Sequence, residues 1–436
     1  MKILFLSEIK NITLLRTKNI PFILYLIVGC IVVIKGPFYY PDSYAFLDMS
    51  INHSPVYSLF LKIFRIIFND SFIWPVIITQ FLILISAIHY LSNVLQKQFH
   101  LNLTEKFILQ FILISPSIYF NQTTGAVLTE AISYPLVLIV FALGFKAFAI
   151  LDIKLLLKSI IPLYFLVLTR GQFIVVIPVF IAVGVYINYQ NRRLSSRWLP
   201  IILLVLLPFF TTISERCYNK LMYGYYVNNS MNYVHIISAD FYLSKSTTVE
   251  IFDDLDEIEY FKIVHESLKN VELTKQSADA QNKSDIKVYV DNFPKICNRR
   301  IYDLGLNYFQ KKGLNYFEQH FALNKLCKGM FFKMLKHNFK TRVSFFIKNL
   351  KLTYGTAKHL FLFIFLISYS LIKVYKTKST IYKFILLGSV LMLANNVLIA
   401  FVMHAIKRYA FYYYWIIFAI IILILSELSK KTSNEN

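Results

Sequence analysis

The chain has little glycine, and it lacks the glycine-rich loop that holds the phosphates of a bound nucleotide. Only 12 of its 436 residues are glycine, and no pattern of the G-x-G-x-x-G or P-loop type is present. A site for a nucleotide sugar therefore has no support in the sequence. The chain also has no internal repeat.

Cysteine is scarce as well, with four residues in the chain. Cys30 lies in an apolar run, whereas Cys217, Cys297 and Cys327 lie in a hydrophilic region. Their spacing does not match a metal-binding pattern. One disulfide among the last three is compatible with the sequence, which does not determine the pair.

Acidic residues are outnumbered, with 24 Asp and Glu against 46 Lys and Arg and a net charge of +22. In a soluble chain this excess would suggest nucleic acid, but 57% of the residues are hydrophobic. Several continuous runs of about 17–25 apolar residues are long enough to cross a bilayer as helices. We predict an all-α, polytopic membrane protein with no nucleic-acid partner. Membrane topology and anionic lipid headgroups account for the positive charge.

The apolar runs predict about ten spans, with both termini in the cytoplasm because Lys and Arg concentrate in alternate loops. The predicted spans are 20–36, 73–92, 107–120, 131–150, 159–168, 172–187, 199–214, 359–374, 384–403 and 413–427. A single long kinked span is the alternative for the pair that flanks Thr169-Arg170-Gly171. Before the first span, Leu4–Leu15 has the pattern of a short amphipathic helix.

A mostly hydrophilic region in the middle of the chain separates two apolar regions, which gives three parts. We predict a transmembrane module with catalytic outer loops at 1–214, a small and mainly helical outer domain at 215–357, and C-terminal transmembrane helices at 358–436. In the first outer loop, Val56–Phe68 is apolar but interrupted by Lys62 and Arg65, which is typical of a helix in the membrane interface. The basic and aromatic segment Phe331–Tyr354 has the same character.

Two acids stand at outer ends of predicted spans. Asp42 follows the first span among aromatic residues, where a carboxylate is costly unless it meets a polar partner. We interpret it as a base that takes a proton from an acceptor hydroxyl, with a helix N-cap as the alternative. Glu130 would orient the acceptor or bind a cation, and its alternative is an acid favoured by the helix dipole. Asp48 is a further candidate beside Asp42.

Cations stand at the same predicted ends. Arg170, Lys407 and Arg408 are candidates for holding the phosphate of a lipid carrier. The alternative for each is a side chain that extends to the interface without a ligand. His53 and His404 could join the acids in a metal site, so a divalent cation stays open as a cofactor.

Four short motifs resemble those of the GT-C superfamily of membrane glycosyltransferases. They are Asp42 with the run Ser54-Pro55-Val56-Tyr57-Ser58-Leu59-Phe60-Leu61, the stretch Leu128-Thr129-Glu130, the turn Leu168-Thr169-Arg170-Gly171, and Lys407-Arg408-Tyr409. The resemblance covers most of the membrane part and does not cover 216–357. Many relatives carry a paired acidic dipeptide where this chain has Glu130 alone, which leaves metal use undetermined.

The resemblance implies a GT-C-like bundle and an inverting transferase that uses a polyprenyl-phosphate- or pyrophosphate-linked sugar. The acceptor would be a hydroxyl of a glycan, lipid or protein at the outer face of a bacterial inner membrane. Asp42 would be the base, with Glu130, Asp48 and His53 placing the acceptor or a metal. Arg170, Lys407, Arg408 and Tyr409 would bind the donor phosphate.

This chemistry agrees with a single base, because a lipid phosphate leaves without needing a proton. Two other functions stay open. One is an O-antigen or capsule repeat-unit polymerase or ligase. The other is a transporter or flippase for a lipid-linked glycan, a class that tends to show paired halves and polar residues near the membrane midplane.

Overall fold

The computed structural model describes residues 21–119, 123–191, 198–229 and 231–435. The predicted helix Leu4–Leu15 lies outside these residues. Up to residue 229 the described helices are α1 (Pro21–Lys35), α2 (Pro41–Leu47), α3 (Pro55–Phe68), α4 (Ile73–Phe99), α5 (Leu103–Ile114), α6 (Pro116–Tyr119), α7 (Glu130–Ile150), α8 (Ile153–Thr169), α9 (Val176–Gln190) and α10 (Leu199–Tyr223).

From residue 231 onward the chain is helical as well. The described helices there are α11 (Asn232–Leu243), α12 (Leu255–Asn270), α13 (Lys275–Ala280), α14 (Asp285–Pro294), α15 (Asp303–Lys311), α16 (Tyr316–His337), α17 (Phe339–Thr353), α18 (Ala357–Thr377), α19 (Thr380–Val402), α20 (Lys407–Ala410) and α21 (Trp415–Glu435). A π-helical stretch, Lys295–Tyr302, joins α14 to α15.

Among the residues that the structure describes, seven helical segments are long and apolar enough to cross a membrane, so the protein is a helical membrane protein with several passes. They are Ile73–Phe99, Glu130–Ile150, Gly171–Gln190, Leu199–Tyr223, Ala357–Thr377, Thr380–Val402 and Lys407–Lys430. The other three predicted spans overlap with the shorter helices α1, α5 and α8. The count of ten spans stays a prediction.

The segment around Arg170 contains two helices rather than one kinked helix. Arg170 follows α8 with φ −149° and ψ 112°, an extended conformation that interrupts the helical path. A 3₁₀ turn, Gly171–Val175, then leads into α9. The break leaves Arg170 at the end of a helix, where its side chain can reach neighbouring loops.

Helix α7 is the most enclosed of the seven candidate spans. Over an apolar stretch of 18 residues in this helix, 78% of the residues are buried. Its apolar side chains pack with those of α4, α8 and α9 in one large core. Gly144 allows the closest approach to α9, because a Cβ atom there would lie 2.3 Å from the ring of Phe180. Glu130, the first residue of α7, therefore lies at one end of the most enclosed of these helices.

Helices α11 to α17 enclose a second hydrophobic core that runs from Val234 to Phe345. The predicted boundary at 214 falls inside α10, which continues to Tyr223, whereas the boundary at 357 coincides with the first residue of α18. All four cysteines are free, with Cys297 and Cys327 buried in this core and Cys217 exposed. The structure therefore contains no disulfide between the candidate cysteines, all of which are described.

Both segments predicted to lie in the interface are helical. The first, predicted at Val56–Phe68, is α3, and it exposes apolar side chains at Ile63, Ile66 and Ile67. The second, predicted at Phe331–Tyr354, is divided at Asn338 between the end of α16 and α17. Their placement in the membrane interface stays a prediction.

Candidate functional site

Two loops that are far apart in the sequence are joined by backbone hydrogen bonds at one end of the bundle. The Phe38 N–H donates to the Gly125 carbonyl at 2.9 Å, and the Val127 N–H donates to the Phe38 carbonyl at 3.0 Å. This short parallel bridge brings the loop that leads to Asp42 beside the loop that leads to Glu130.

Gln80, a buried residue of α4, connects α3 to the loop that leads to Glu130. Its Oε1 accepts a hydrogen bond from the Tyr57 hydroxyl of α3 at 2.9 Å. Its Nε2 lies 2.9 Å from the Thr124 carbonyl and 3.3 Å from the Ala126 carbonyl. An unpaired amide is costly in an apolar interior, so these bonds fix the loop before Glu130 relative to α3 and α4.

Asp42 occupies the first turn of α2, where it is not the capping residue. The cap is Tyr40, whose N–H donates to the Ser43 hydroxyl at 2.9 Å, while the Ser43 N–H donates back to the Tyr40 carbonyl at 2.9 Å. Asp42 therefore does not cap the helix. Its side chain is 45% exposed and forms an ion pair with Arg408 at 3.0 Å. The helix N-cap alternative for Asp42 is therefore wrong.

The acids and guanidinium groups form one continuous chain of ion pairs, Asp42–Arg408–Glu130–Arg170. Arg408 uses Nη1 for Asp42 and Nε for Glu130, at 3.0 Å and 2.5 Å. Arg170 Nη1 lies 2.6 Å from the same Glu130 oxygen, Oε1. The Glu130 side chain is 5% exposed, so the two cations neutralise a carboxylate that could not remain buried alone.

Tyrosine rings and hydroxyls complete the surroundings of the guanidinium groups. The Arg170 guanidinium lies over the Tyr409 ring at 4.9 Å, and its Nη1 is 3.3 Å from the Tyr412 hydroxyl. Tyr412 is in turn 2.8 Å from the Ser133 hydroxyl of α7. Arg408 lies 5.6 Å from the Tyr40 ring. These contacts fix both arginines in a single arrangement.

A cavity of about 380 Å³ opens beside the ion pairs. It is lined by Tyr119, Thr123, Ala126, Leu128, Glu130, Lys407, Arg408 and Phe411. Lys407 is exposed, and it forms no ion pair or hydrogen bond with any residue that the structure describes. Arg170 does not line this cavity, because Glu130, Tyr409 and Tyr412 enclose its side chain.

The remaining candidate residues are less closely associated with the cluster. Asp48 is exposed at the C-terminal end of α2 and makes no ion pair within the described ranges. His53 packs its ring against Phe46 at 4.3 Å. Burial lowers the pKa of His53, while nearby Asp42 raises it and Arg408 lowers it. His53 therefore lies within electrostatic range of the ion-pair chain.

His404 is stacked on the Phe293 ring at 4.0 Å, and its ring lies 6.2 Å from that of Tyr409. Burial lowers the pKa of His404 to about 4. Among the described residues, no group of three or more His, Cys, Asp or Glu side chains is placed to hold a metal ion. The predicted pairing of His53 and His404 with the acids is therefore not found in the described structure.

Residues from the end of α10 and from the segments that follow it hold the loop between α2 and α3. The Tyr223 hydroxyl donates to the Met49 carbonyl, and Asn229 Nδ2 donates to the Asn52 carbonyl at 2.9 Å. The Asn52 amide also contacts the Tyr302 hydroxyl, which lies 2.8 Å from His320 Nδ1. The loop that carries His53 is thus held by α10 and by residues from the second hydrophobic core.

Three residues important for this geometry were absent from the sequence prediction. Tyr412 lies one helical turn after Arg408, a spacing that could have suggested a shared face. Gln80 is the one amide side chain in the predicted span 73–92, and an isolated amide in such a run is a usable signal. For Tyr302 the sequence offers no signal, because its partners come from distant segments.

The fold and the site together define a helical multi-pass membrane protein with a partly buried cluster of opposite charges at one end of its bundle. Comparison with protein-family models, with curated proteins and with solved structures found no match to this chain.

Proposed function

We propose that the protein is an inverting glycosyltransferase of the GT-C type. It would transfer a sugar or oligosaccharide from a polyprenyl-phosphate or pyrophosphate carrier to a hydroxyl of a glycan, lipid or protein. The observation that supports this most is the ion-pair chain from Asp42 to Arg170 beside a cavity lined by Lys407, which has no partner among the described residues. This arrangement places a candidate base, Asp42, near a cavity whose cations could bind an anion.

The charges of the cluster favour a phosphate ligand. Arg170, Lys407 and Arg408 supply three positive charges, and Asp42 and Glu130 supply two negative ones. One positive charge is therefore left over, and it lies on the cavity wall at Lys407. A phosphate in the cavity would be held by Lys407 and Arg408, whereas Arg170 is occupied by Glu130. We therefore propose that Arg170 positions Glu130 instead of binding the donor.

The proposed reaction is a displacement at the anomeric carbon. The acceptor oxygen forms a bond to that carbon, and the bond from the carbon to the phosphate oxygen breaks with its electron pair staying on the phosphate. The acceptor proton passes to Asp42. Lys407 and Arg408 stabilise the negative charge that develops on the leaving group. No general acid is needed, because the phosphate leaves as an anion.

Arg408 would link donor binding to the activation of Asp42. In the structure it is shared between Asp42 and Glu130. A phosphate bound beside Lys407 would compete with Asp42 for Nη1 of Arg408. Asp42 would then be released from its ion pair when the donor is in place.

Glu130 would act by holding Arg408 at the cavity. It accepts bonds from two guanidinium groups on one oxygen, and the Thr129 hydroxyl lies 3.1 Å from the other. This role requires no metal ion. Asp48 and His53 would be at most peripheral to the acceptor, since the first is exposed and the second lies against Phe46.

The proposed location is a bacterial inner membrane, with both termini in the cytoplasm and the cluster facing outward. The ends of α7, α8 and α20 that form the cluster are opposite the ends that carry Lys97, Lys154 and Lys376. Lys and Arg are retained on the cytoplasmic side, which supports this orientation.

The same site would serve a repeat-unit polymerase or ligase. The length of the glycan product distinguishes these activities from a single sugar transfer.

The experiment uses the full-length protein in nanodiscs with a polyprenyl-phosphate sugar pool and a glycan extract from bacterial membranes. Release of free polyprenyl phosphate is measured by mass spectrometry. We expect Asp42→Asn to lower turnover by about 10²–10⁴, the range typical of a lost base. The control Asp70→Asn changes an exposed acid after α3 and should keep turnover. Undiminished turnover in folded Asp42→Asn protein would remove the base from the proposal.

A further inference from the structure

A second cavity, separate from the first, lies between the end of α2, the outer face of α3 and the start of α4. Its volume is about 340 Å³. Leu47, Leu61, Ile66 and Phe72 give it a mainly apolar lining, and Lys62 and Arg65 of α3 stand at its edge. None of these residues belongs to the ion-pair chain around Glu130.

The two cations of this groove are available to a ligand. Lys62 and Arg65 are exposed, and neither forms an ion pair or hydrogen bond with any residue in the described ranges. They are three residues apart on one helix, so their side chains lie on neighbouring positions of the same face. Two adjacent unpaired cations attract a single anionic group more strongly than either does alone.

The surroundings of the groove indicate that its ligand comes from the membrane. On α3, Ile63, Ile66 and Ile67 are 54%, 70% and 62% exposed. Such a face is unfavourable in water and favourable in lipid. After α3, the 3₁₀ turn Asn69–Ser71 and then Phe72 lead into α4, a candidate span. The groove therefore lies where a span meets the membrane surface, which is the depth of lipid headgroups.

We propose that this groove binds an anionic phospholipid. Its phosphate group would lie between Lys62 and Arg65, and an acyl chain would fill the apolar groove along Leu61 and Phe72. Charge complementarity selects an anionic headgroup over a zwitterionic one, and the apolar lining selects a lipid over a free phosphate. This proposal stands independently of the proposed transferase activity.

The bound lipid would also support the element that carries Asp42. Leu47 and Met49, at the end of α2, line the groove, and Asp42 lies in the first turn of the same helix. The Met49 carbonyl is held on its other side by the Tyr223 hydroxyl. Lipid in the groove would complete the contacts of this short segment, which otherwise has a cavity on one side.

The test measures lipids retained by the full-length protein in native mass spectrometry. Purified protein in detergent is given dioleoylphosphatidylglycerol or dioleoylphosphatidylcholine at the same concentration. We expect retention of the first in preference to the second. In the double variant Lys62→Gln/Arg65→Gln, we expect retention of phosphatidylglycerol to weaken roughly 30-fold, since each basic residue near anionic lipid contributes about 1 kcal/mol.

The matched control is Lys154→Gln/Lys158→Gln, which removes two exposed cations one turn apart at the opposite end of the bundle. It should retain phosphatidylglycerol like the unmodified protein. Equal retention of the two lipids, or an equal loss in both double variants, would overturn the proposal. The same measurement is repeated with glycerol 3-phosphate or with polyprenyl phosphate added. Displacement of the bound lipid by glycerol 3-phosphate would also overturn the proposal. A double variant that loses polyprenyl phosphate but keeps phosphatidylglycerol would assign the groove to the donor instead.

Discussion

Arg408 donates a hydrogen bond to Glu130 although 278 positions separate the two residues in the chain. The same guanidinium reaches Asp42, 366 positions away. Three segments from the beginning, the middle and the end of the membrane part therefore meet at one side chain. Any change at Arg408 or at its two acids should alter the geometry of the whole cluster.

Replacement of Glu130 by Gln should destabilise the protein strongly. The substitution leaves Arg170 and Arg408 close together without their shared carboxylate, and removal of one partner from a buried pair costs about 3–5 kcal/mol. Thermal unfolding in detergent measures the loss. The control Glu266→Gln changes an exposed acid of α12 and should stay within about 0.5 kcal/mol. Equal stability of the two variants would contradict a structural role for Glu130.

Replacement of Lys407 by Gln should weaken the binding of polyprenyl phosphate while leaving stability unchanged. Lys407 has no partner among the described residues, so its loss costs no internal contact, but a charge-assisted bond to phosphate contributes about 1.5 kcal/mol, roughly tenfold in affinity. Binding is measured by native mass spectrometry. Lys311→Gln, an exposed position in α15, serves as the control. Unchanged affinity in Lys407→Gln would show that the phosphate binds elsewhere.

Replacement of Gln80 by Leu should loosen the loop before Glu130. The change breaks the bonds to Tyr57, Thr124 and Ala126, at a cost of about 1–3 kcal/mol for the groups left unpaired. Gln110→Leu is a matched control, since that buried amide bonds to Ser92 within the bundle. Both variants should lose stability, but Gln80→Leu alone should weaken the binding of polyprenyl phosphate. Equal affinities of the two variants for polyprenyl phosphate would show that Gln80 contributes to stability alone.

Replacement of Tyr302 by Phe should free the loop between α2 and α3. The hydroxyl contacts both Asn52 and His320, and its loss should cost about 1–2 kcal/mol. Hydrogen exchange at residues 49–53 should become faster. In the control Tyr308→Phe, the lost hydroxyl bonds to Asp256 and Glu259 of α12, so exchange at 49–53 should not change. Protection that survives in Tyr302→Phe would show that other contacts hold the loop.

Acid should destabilise the protein through His404. Burial lowers the pKa of His404 to about 4, below the ordinary value near 6.5, so between these values the unfolded chain binds a proton that the folded chain excludes. The stability is full above about pH 6.5 and is lost as the pH falls toward 4. By pH 5 the loss from this residue is about 2 kcal/mol.

Unfolding measurements from pH 7 to 5 test this prediction on His404→Gln, which should lose less stability over that range than the unmodified protein. His337→Gln, at an exposed position in α16, should follow the unmodified protein. Parallel curves for all three proteins would mean that His404 does not carry the pH dependence.

The sequence alone indicated a helical membrane protein, because the length and continuity of an apolar run depend only on neighbouring residues. It also placed Asp42, Glu130, Arg170 and Arg408 at span ends on one side of the membrane, and the structure brings these four residues into contact. Their chemical roles stay predictions. The resemblance to membrane glycosyltransferases added a function to these positions and did not determine their geometry.

Tertiary structure decided which of the cations is enclosed by ion pairs and which lines the cavity. Arg170 and Lys407 are equivalent by sequence reasoning, since each follows an apolar run at the same side. In the fold, Arg170 is enclosed by Glu130 and two tyrosines, whereas Lys407 faces the cavity. The difference arises from the packing of α7, α8 and the final helices, and a contact between segments hundreds of residues apart has no local sequence signal. The sequence determined what each segment is, and the packing of the segments determined which charges meet.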